Sequence, residues 1–128
     1  MKNKNLLIIQ ARINSKRLPG KVLLRLGKYK IIEFLYKRLS KCKKINKIVV
    51  ATTNTKSDEI LCQFLKKSNI DFFRGSEKNV LKRFYDLSNI HTPENIIRIT
   101  ADCPFVDFKM LDNMMTIFEN NNIDYLSN

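Results

Sequence analysis

At 128 residues, 44% apolar and 28% charged, the chain is expected to form one globular domain over 1–128. It has no run near the ~18–20 apolar residues of a membrane span and no leader-like stretch behind Met1, so a cytoplasmic protein without a membrane partner is expected. The net charge of +12 is lopsided, with 16 Lys and Arg against 3 Asp and Glu through residue 64 and 8 against 9 beyond it, so the first half calls for an anionic partner.

Leu6-Leu7-Ile8-Ile9 is a short, continuous apolar run, as expected of a buried central strand. Residues 10–20 are polar and basic and close on Pro19-Gly20, which marks a loop. Ile31, Ile32, Leu35 and Leu39 share one helical face, and the β-branched stretch 45–53 reads as a second buried strand. Ser57-Asp58-Glu59 opens another helix, with acids in its first turn and Lys66-Lys67 in its last, both favourable to the helix dipole. Residues 70–73 make a short strand. Ser76 is the expected N-cap of a helix carrying Val80, Leu81, Phe84 and Leu87 along one face, and 96–100 form a fourth strand. Asp107 caps a helix with Leu111, Met114, Met115 and Phe118 as its stripe, and 123–126 reads as a final strand.

Strand and helix alternate throughout, which implies an α/β fold with a mainly parallel sheet and helices on both faces. Ligands of such sheets bind beyond the carboxyl ends of the strands, so the loops after Ile9, Val50, Phe73 and Thr100 are the places to look. Cys42, Cys62 and Cys103 lack paired spacing and His91 is the single histidine, which excludes a disulfide framework and a structural zinc site.

Arg12, Ser15, Lys16, Arg17 and Lys21 crowd into the first of those loops, where Pro19 and Gly20 turn the chain. Guanidiniums, ammoniums, a hydroxyl and backbone N–H groups in a concave loop suit a triphosphate. Neither GxxxxGK[ST] nor GxGxxG is present, so this is neither a Walker loop nor a dinucleotide fingerprint. Asp102 follows the fourth strand. A carboxylate there, facing a basic loop, makes sense as a Mg²⁺ ligand, since Mg²⁺ takes one or two carboxylates plus phosphate oxygens and water.

The stretch Ile8-Ile9-Gln10-Ala11-Arg12-Ile13-Asn14-Ser15-Lys16-Arg17-Leu18-Pro19-Gly20-Lys21 resembles the signature loop of the sugar-acid cytidylyltransferases. The likeness is strongest to the spore-coat-polysaccharide branch, related to the CMP-KDO and CMP-acylneuraminate synthetases. Val49-Val50-Ala51-Thr52-Thr53, Phe73-Arg74-Gly75-Ser76-Glu77 with Val80-Leu81, and Arg98-Ile99-Thr100-Ala101-Asp102-Cys103-Pro104 agree in order and spacing. The resemblance implies a three-layer, Rossmann-like nucleotide-diphospho-sugar transferase fold and transfer of CMP from CTP to the anomeric hydroxyl of an acidic sugar, releasing pyrophosphate, in surface polysaccharide synthesis. It implies that Arg12, Ser15 and Lys21, helped by Arg17, hold the CTP phosphates. Ala11 offers backbone groups to the base, Ser76 and Thr100 lie near base and ribose, and Asp102 binds Mg²⁺. Arg12, Lys21 and Asp102 are the expected catalytic set.

Two departures stand out. Ala101 occupies the place where the family usually has Gly, setting a methyl beside the expected nucleotide contact. The chain also stops about where the family continues into its sugar-binding and dimerisation region, which supplies a second metal carboxylate. The C-terminal part of the domain is therefore expected to be missing, and a homodimer is implied only for the full-length family. Two other readings stay open: a nucleotidyltransferase of other base or sugar specificity, whether or not the chain is catalytically complete, and a basic nucleic-acid-binding module. The last lacks aromatic residues interleaved with the basic ones and any helix-turn-helix or RNA-binding signature, so no nucleic-acid partner is expected.

Overall fold

A computed structural model describes residues 4–128. Its main sheet has four parallel strands, β1 (Asn5–Gln10), β4 (Lys47–Thr53), β5 (Phe72–Gly75) and β6 (Asn95–Thr100), in the order β5-β4-β1-β6. A two-stranded antiparallel ribbon, β2 (Arg25–Leu26) with β3 (Tyr29–Lys30), stands apart from it. Four helices complete the fold: α1 (Ile31–Leu39), α2 (Glu59–Lys67), α3 (Val80–His91) and α4 (Phe108–Asn120). None of the described helices is long and apolar enough to cross a membrane.

The apolar run at the start of the chain is continuous because β1 is central, paired with β4 on one side and β6 on the other. Its side chains alternate between two cores. Leu7 and Ile9 join Val50 and Ile97 under Ile32, Leu35 and Leu39 of α1, Leu61 and Leu65 of α2, and Leu111 and Met115 of α4. Leu6 and Ile8 join Val49 and Ala51 under Leu87 and Phe84 of α3. The layers are helix, sheet, helix, as the alternation of elements requires.

From β1 the chain steps outward through β4 to β5, then crosses back to β6 on the other side of β1. The strand order reverses between β1 and β6. In sheets of this type the crevice beyond the carboxyl ends at that reversal is where ligands bind.

Several expectations need correction. Residues 123–126 form no strand, and β6 is the sheet edge, with Ile96 47% exposed. The ribbon β2–β3 was not anticipated. The N-cap of α3 is Asn79, whose side chain accepts from Lys82 N–H, and not Ser76. Leu81 is 80% exposed and does not share the core face of α3; that place belongs to Arg83 and Leu87. Asp107 does cap α4, accepting from Lys109 N–H at 2.9 Å.

Candidate active site

The loop after β1 is fastened at both ends. Ala11, 3% exposed, donates its N–H to Ala51 C=O at 3.1 Å, while Gln10 C=O accepts from Ala101 N–H at 3.0 Å. Ile13 N–H then donates to the Asp58 carboxylate at 2.7 Å. Gly20 N–H returns to Ile13 C=O at 2.9 Å, closing residues 14–19 into a small lobe. Gly20 makes this turn at φ +74, where a side chain would be strained, and starts a single 3-10 turn over Lys21–Leu23. Within the lobe Leu18 N–H approaches Ser15 Oγ at 3.5 Å. Arg12, Lys16 and Arg17 are exposed, and no hydrogen bond or ion pair ties their side chains among the described residues. A compact turn presenting free cations is a physical description of an anion site.

The turn aims Lys21 across the strand reversal. Its Nζ lies 3.6 Å from Asp102 Oδ1, so the basic loop after β1 and the carboxylate after β6 meet at the predicted crevice. Asp102 is 72% exposed on its side chain, so the contact is a loose, solvated ion pair that a competing anion and cation can separate. Thr100 ends β6 opposite Gln10 in the parallel register. Ala101 is buried, and its methyl belongs to the larger core, so the extra carbon has a packing partner. Of the two backbone groups expected from Ala11, the N–H is already spent on the sheet, which leaves its carbonyl for a ligand.

The loop after β5 supplies Ser76, half-buried, with Oγ accepting from Asn79 N–H at 3.1 Å. Beneath it lies Arg83, 1% exposed, donating Nε to Ser76 C=O at 3.0 Å and Nη2 to Glu77 C=O at 3.3 Å. Burial lowers the Arg83 pKa; the Asp58 carboxylate opposes that shift and the Arg12 guanidinium adds to it. Asp58 is 1% exposed and also accepts from Thr53 N–H at 3.3 Å and from the Thr53 hydroxyl. One buried carboxylate thus ties the loops after β1 and β4 together, and one buried guanidinium holds the loop after β5 to α3.

Sequence reasoning missed both. Asp58 looked like a helix-dipole acid because it follows Ser57 and precedes Glu59 in a standard helix opening. Arg83 had a legible signal: it lies three residues after Val80 and four before Leu87, so a cation interrupts the apolar stripe.

Asp102 can be weighed as a metal ligand from its surroundings. It is a hard oxygen donor, open to solvent, with an ammonium as its ion-pair partner. Among the described residues no group of three or more His, Cys, Asp or Glu could hold a metal by protein alone. A Mg²⁺ ion completed by phosphate oxygens and water fits that donor set; an all-protein cage does not. A groove of about 1430 Å³ runs along the open β6 edge and reaches the crevice through Thr100, Asp102 and Cys103.

Comparison with known proteins gives a consistent picture. The family profile described as cytidylyltransferase matches residues 6–128. The chain is 40% identical over 127 residues to the spore coat polysaccharide biosynthesis protein SpsF of Bacillus subtilis, covering 96% of this chain and 53% of that protein. It is 28% identical over 121 residues to a 3-deoxy-manno-octulosonate cytidylyltransferase of Leptospira interrogans, covering 91% and 47%. A solved cytidylyltransferase from Leptospira borgpetersenii superposes with a TM-score of 0.87 at 37% identity, over 93% of this chain and 50% of that one. The chain spans about half the length of the curated relatives it matches.

Proposed function

Since the chain belongs to the cytidylyltransferase family, we propose that it carries the CTP site of a Mg²⁺-dependent enzyme that transfers CMP to the anomeric hydroxyl of an acidic sugar. The observation that carries this reading is the approach of Lys21 Nζ to Asp102 Oδ1 at the strand reversal. A lone basic loop binds many anions; a basic loop facing an exposed, loosely paired carboxylate suits a metal-triphosphate pair.

In this reading the exposed guanidiniums of Arg12 and Arg17, the Ser15 hydroxyl and the Lys21 ammonium receive the three phosphates. Ser76, Thr100 and the Ala11 carbonyl line the nucleoside end. Lys21 leaves Asp102 for the phosphates, and Asp102 is freed to ligate Mg²⁺. The bound ion supplies Lewis-acid polarisation of the phosphate and offsets its charge. The sugar oxygen attacks the α-phosphorus in line, the bond from that phosphorus to the bridging oxygen breaks, pyrophosphate departs, and the hydroxyl proton passes to solvent. The protein's contribution is position and fixed positive charge around the transferring group. The resemblance to the sugar-acid branch supports an acidic sugar as the acceptor, and a groove along β6 that reaches Asp102 is in keeping with it.

Calorimetric titration with CTP, UTP, GTP and ATP, each with and without Mg²⁺, tests the reading. CTP should bind selectively and more tightly with Mg²⁺. Lys21→Ala should weaken CTP binding by about 2 kcal/mol, the scale of a charge-assisted hydrogen bond, and Asp102→Asn should abolish the Mg²⁺ enhancement. Binding of every polyanion with a steep salt dependence and no Mg²⁺ effect would instead describe a nucleic-acid surface.

A further inference from the structure

The sheet is unfinished at β6 in a way that specifies what completes it. Asn95 N–H donates to Lys4 C=O at 2.8 Å and Ala101 N–H to Gln10 C=O at 3.0 Å. Residues that bond one neighbour alternate along a parallel ladder, so Ile97 and Ile99 also turn their backbone groups to β1. The N–H groups of Ile96, Arg98 and Thr100, with the carbonyls of Ile96 and Arg98, face the other way, where no strand lies among the described residues. Such a row of open donors and acceptors is a template for another strand.

The space beside that row has the chemistry of a strand's seat. The groove of about 1430 Å³ is lined by all of β6, by Met110, Met114 and Phe118 of α4, and by residues 124–128. The three α4 side chains recur at every fourth position as one apolar stripe and belong to neither core of the sheet. Residues 123–126 carry a β pattern without a paired neighbour, and 124–126 line the same groove, so a segment lying in it touches two strand-like walls. Charge sets the opposite face. Arg98 turns to α3, over the Phe84 ring and against Gln10 Oε1, while Ile96 and Glu94 precede it at the two-residue period that shares a face. All three are exposed, so this face of the edge presents an anion, an apolar side chain and a cation in turn.

We propose that the groove is a strand-binding slot: an extended segment of a separate polypeptide enters between β6 and the tail, apolar toward α4 and carrying, on its other face, a basic residue for Glu94 and an acidic one for Arg98. Backbone bonds to the open edge give the affinity, and the alternating side chains give the selection. Filling the groove as far as Arg98 leaves its mouth at Thr100 and Asp102 open to the crevice. The seated segment also supplies the neighbour that residues 123–126 need to become a strand. The inference stands on the sheet edge and is independent of the CTP reading.

The test attaches probe segments behind Asn128, which itself lines the groove, through a flexible tether of about ten Gly and Ser residues reaching roughly 17 Å. One probe, Val-Lys-Val-Val-Val-Glu-Val, presents a cation, an apolar side chain and an anion on one face; a second, Val-Lys-Val-Val-Val-Lys-Val, presents two cations. Amide hydrogen exchange read by NMR should show the N–H groups of Ile96 and Arg98 and those of residues 124–126 slowed about tenfold or more by the first probe and less by the second. Ile97 and Ile99, already bonded to β1, should not change. Ile96→Pro removes an outward donor at a position where an edge strand tolerates proline, and should abolish the slowing. Arg98→Glu should transfer the preference to the second probe, and this reversal decides the matter if Ile96→Pro does not fold. Unchanged exchange at Ile96 and Arg98 with both probes overturns the proposal. So does slowing that ignores these substitutions, or slowing confined to residues 100–103. Slowing of the same amides in the untethered chain as its concentration rises would give the edge to a second copy and equally overturn it.

Discussion

The two ends of the sheet are finished differently. At the amino end Asn5 is buried and every polar group on its side chain is used: Nδ2 donates to Lys44 C=O at 2.8 Å, and Oδ1 accepts from Asn95 Nδ2 at 2.9 Å. Its N–H donates to Asn46 Oδ1 and its C=O accepts from Asn46 N–H. Glu119 closes the set against Lys4 and Lys44. At the carboxyl end the two buried side-chain atoms that lack partners among the described residues, Thr52 Oγ1 and Arg83 Nη1, occur on the same side of the sheet as the exposed cations of the phosphate loop. One end is closed to join three strands; the other keeps unspent donors and loosely paired charges. Departures from full polar satisfaction that concentrate at one end of a fold are expected where a ligand completes it.

The sharpest way to break this contrast is at Asp58, which lies at the carboxyl end yet is fully engaged. Asp58→Ala strands the buried N–H of Thr53 and the half-buried N–H of Ile13 and removes the carboxylate that offsets Arg83. Because hydrogen bonds to a charged acceptor are strong and the groups left behind are desolvated, the loss should be on the order of 3 kcal/mol of folding stability. Denaturant unfolding measures it. CTP affinity should fall with it, since Ile13 anchors the loop carrying Arg12. A variant that keeps its stability would mean that Asp58 does not organise the site.

Asn5→Ala is the counterpart at the closed end. It removes two well-formed side-chain bonds at the foot of β1 and leaves the Asn95 amide without its acceptor. About 1–2 kcal/mol of stability should be lost, seen as a lower thermal midpoint, while CTP affinity of the folded protein stays unchanged. If affinity falls in step with stability, the two ends are energetically coupled and the contrast dissolves.

How far the sequence foretold this arrangement follows from which interactions are periodic. β1, β4 and the four helices were legible because burial repeats along them with the strand or helix period, and the phosphate loop was legible because like charges crowd beside Pro19-Gly20. The β2–β3 ribbon escaped because two-residue strands are too short to show alternation. The expected strand at 123–126 failed because a β-pattern forms a strand only with a paired neighbour, and here the β6 edge remains open. Asp58 escaped because its defining partner, Ile13 N–H, lies 45 positions away and cannot be read from its local context, whereas Arg83, bonded to carbonyls six and seven residues before it, left its signal in the broken apolar stripe. The Lys21–Asp102 approach spans 81 positions of sequence and follows from strand order, which a single sequence leaves open.

The smallest effect expected is at Glu119, and its pH dependence makes it readable. The hydrogen bond from Lys4 is the main cause holding its carboxyl below the usual glutamate value, with Lys44 and Asn5 assisting and burial opposing. A carboxyl depressed in the folded state contributes stability that is fully present above its unfolded pKa, near 4.3. That contribution is lost as pH falls through the folded value. Glu119→Gln should therefore cost no more than about 0.5 kcal/mol at pH 7, since the pairs with Lys4 and Lys44 are partly solvated. The gap between variant and wild type should close as the pH is taken below 4. Thermal melts of both proteins across that range measure the closure, with CTP affinity at pH 7 equal in the two. A difference that persists at low pH would assign the cost to packing of the side chain on α4 and remove charge from the account of the closed end.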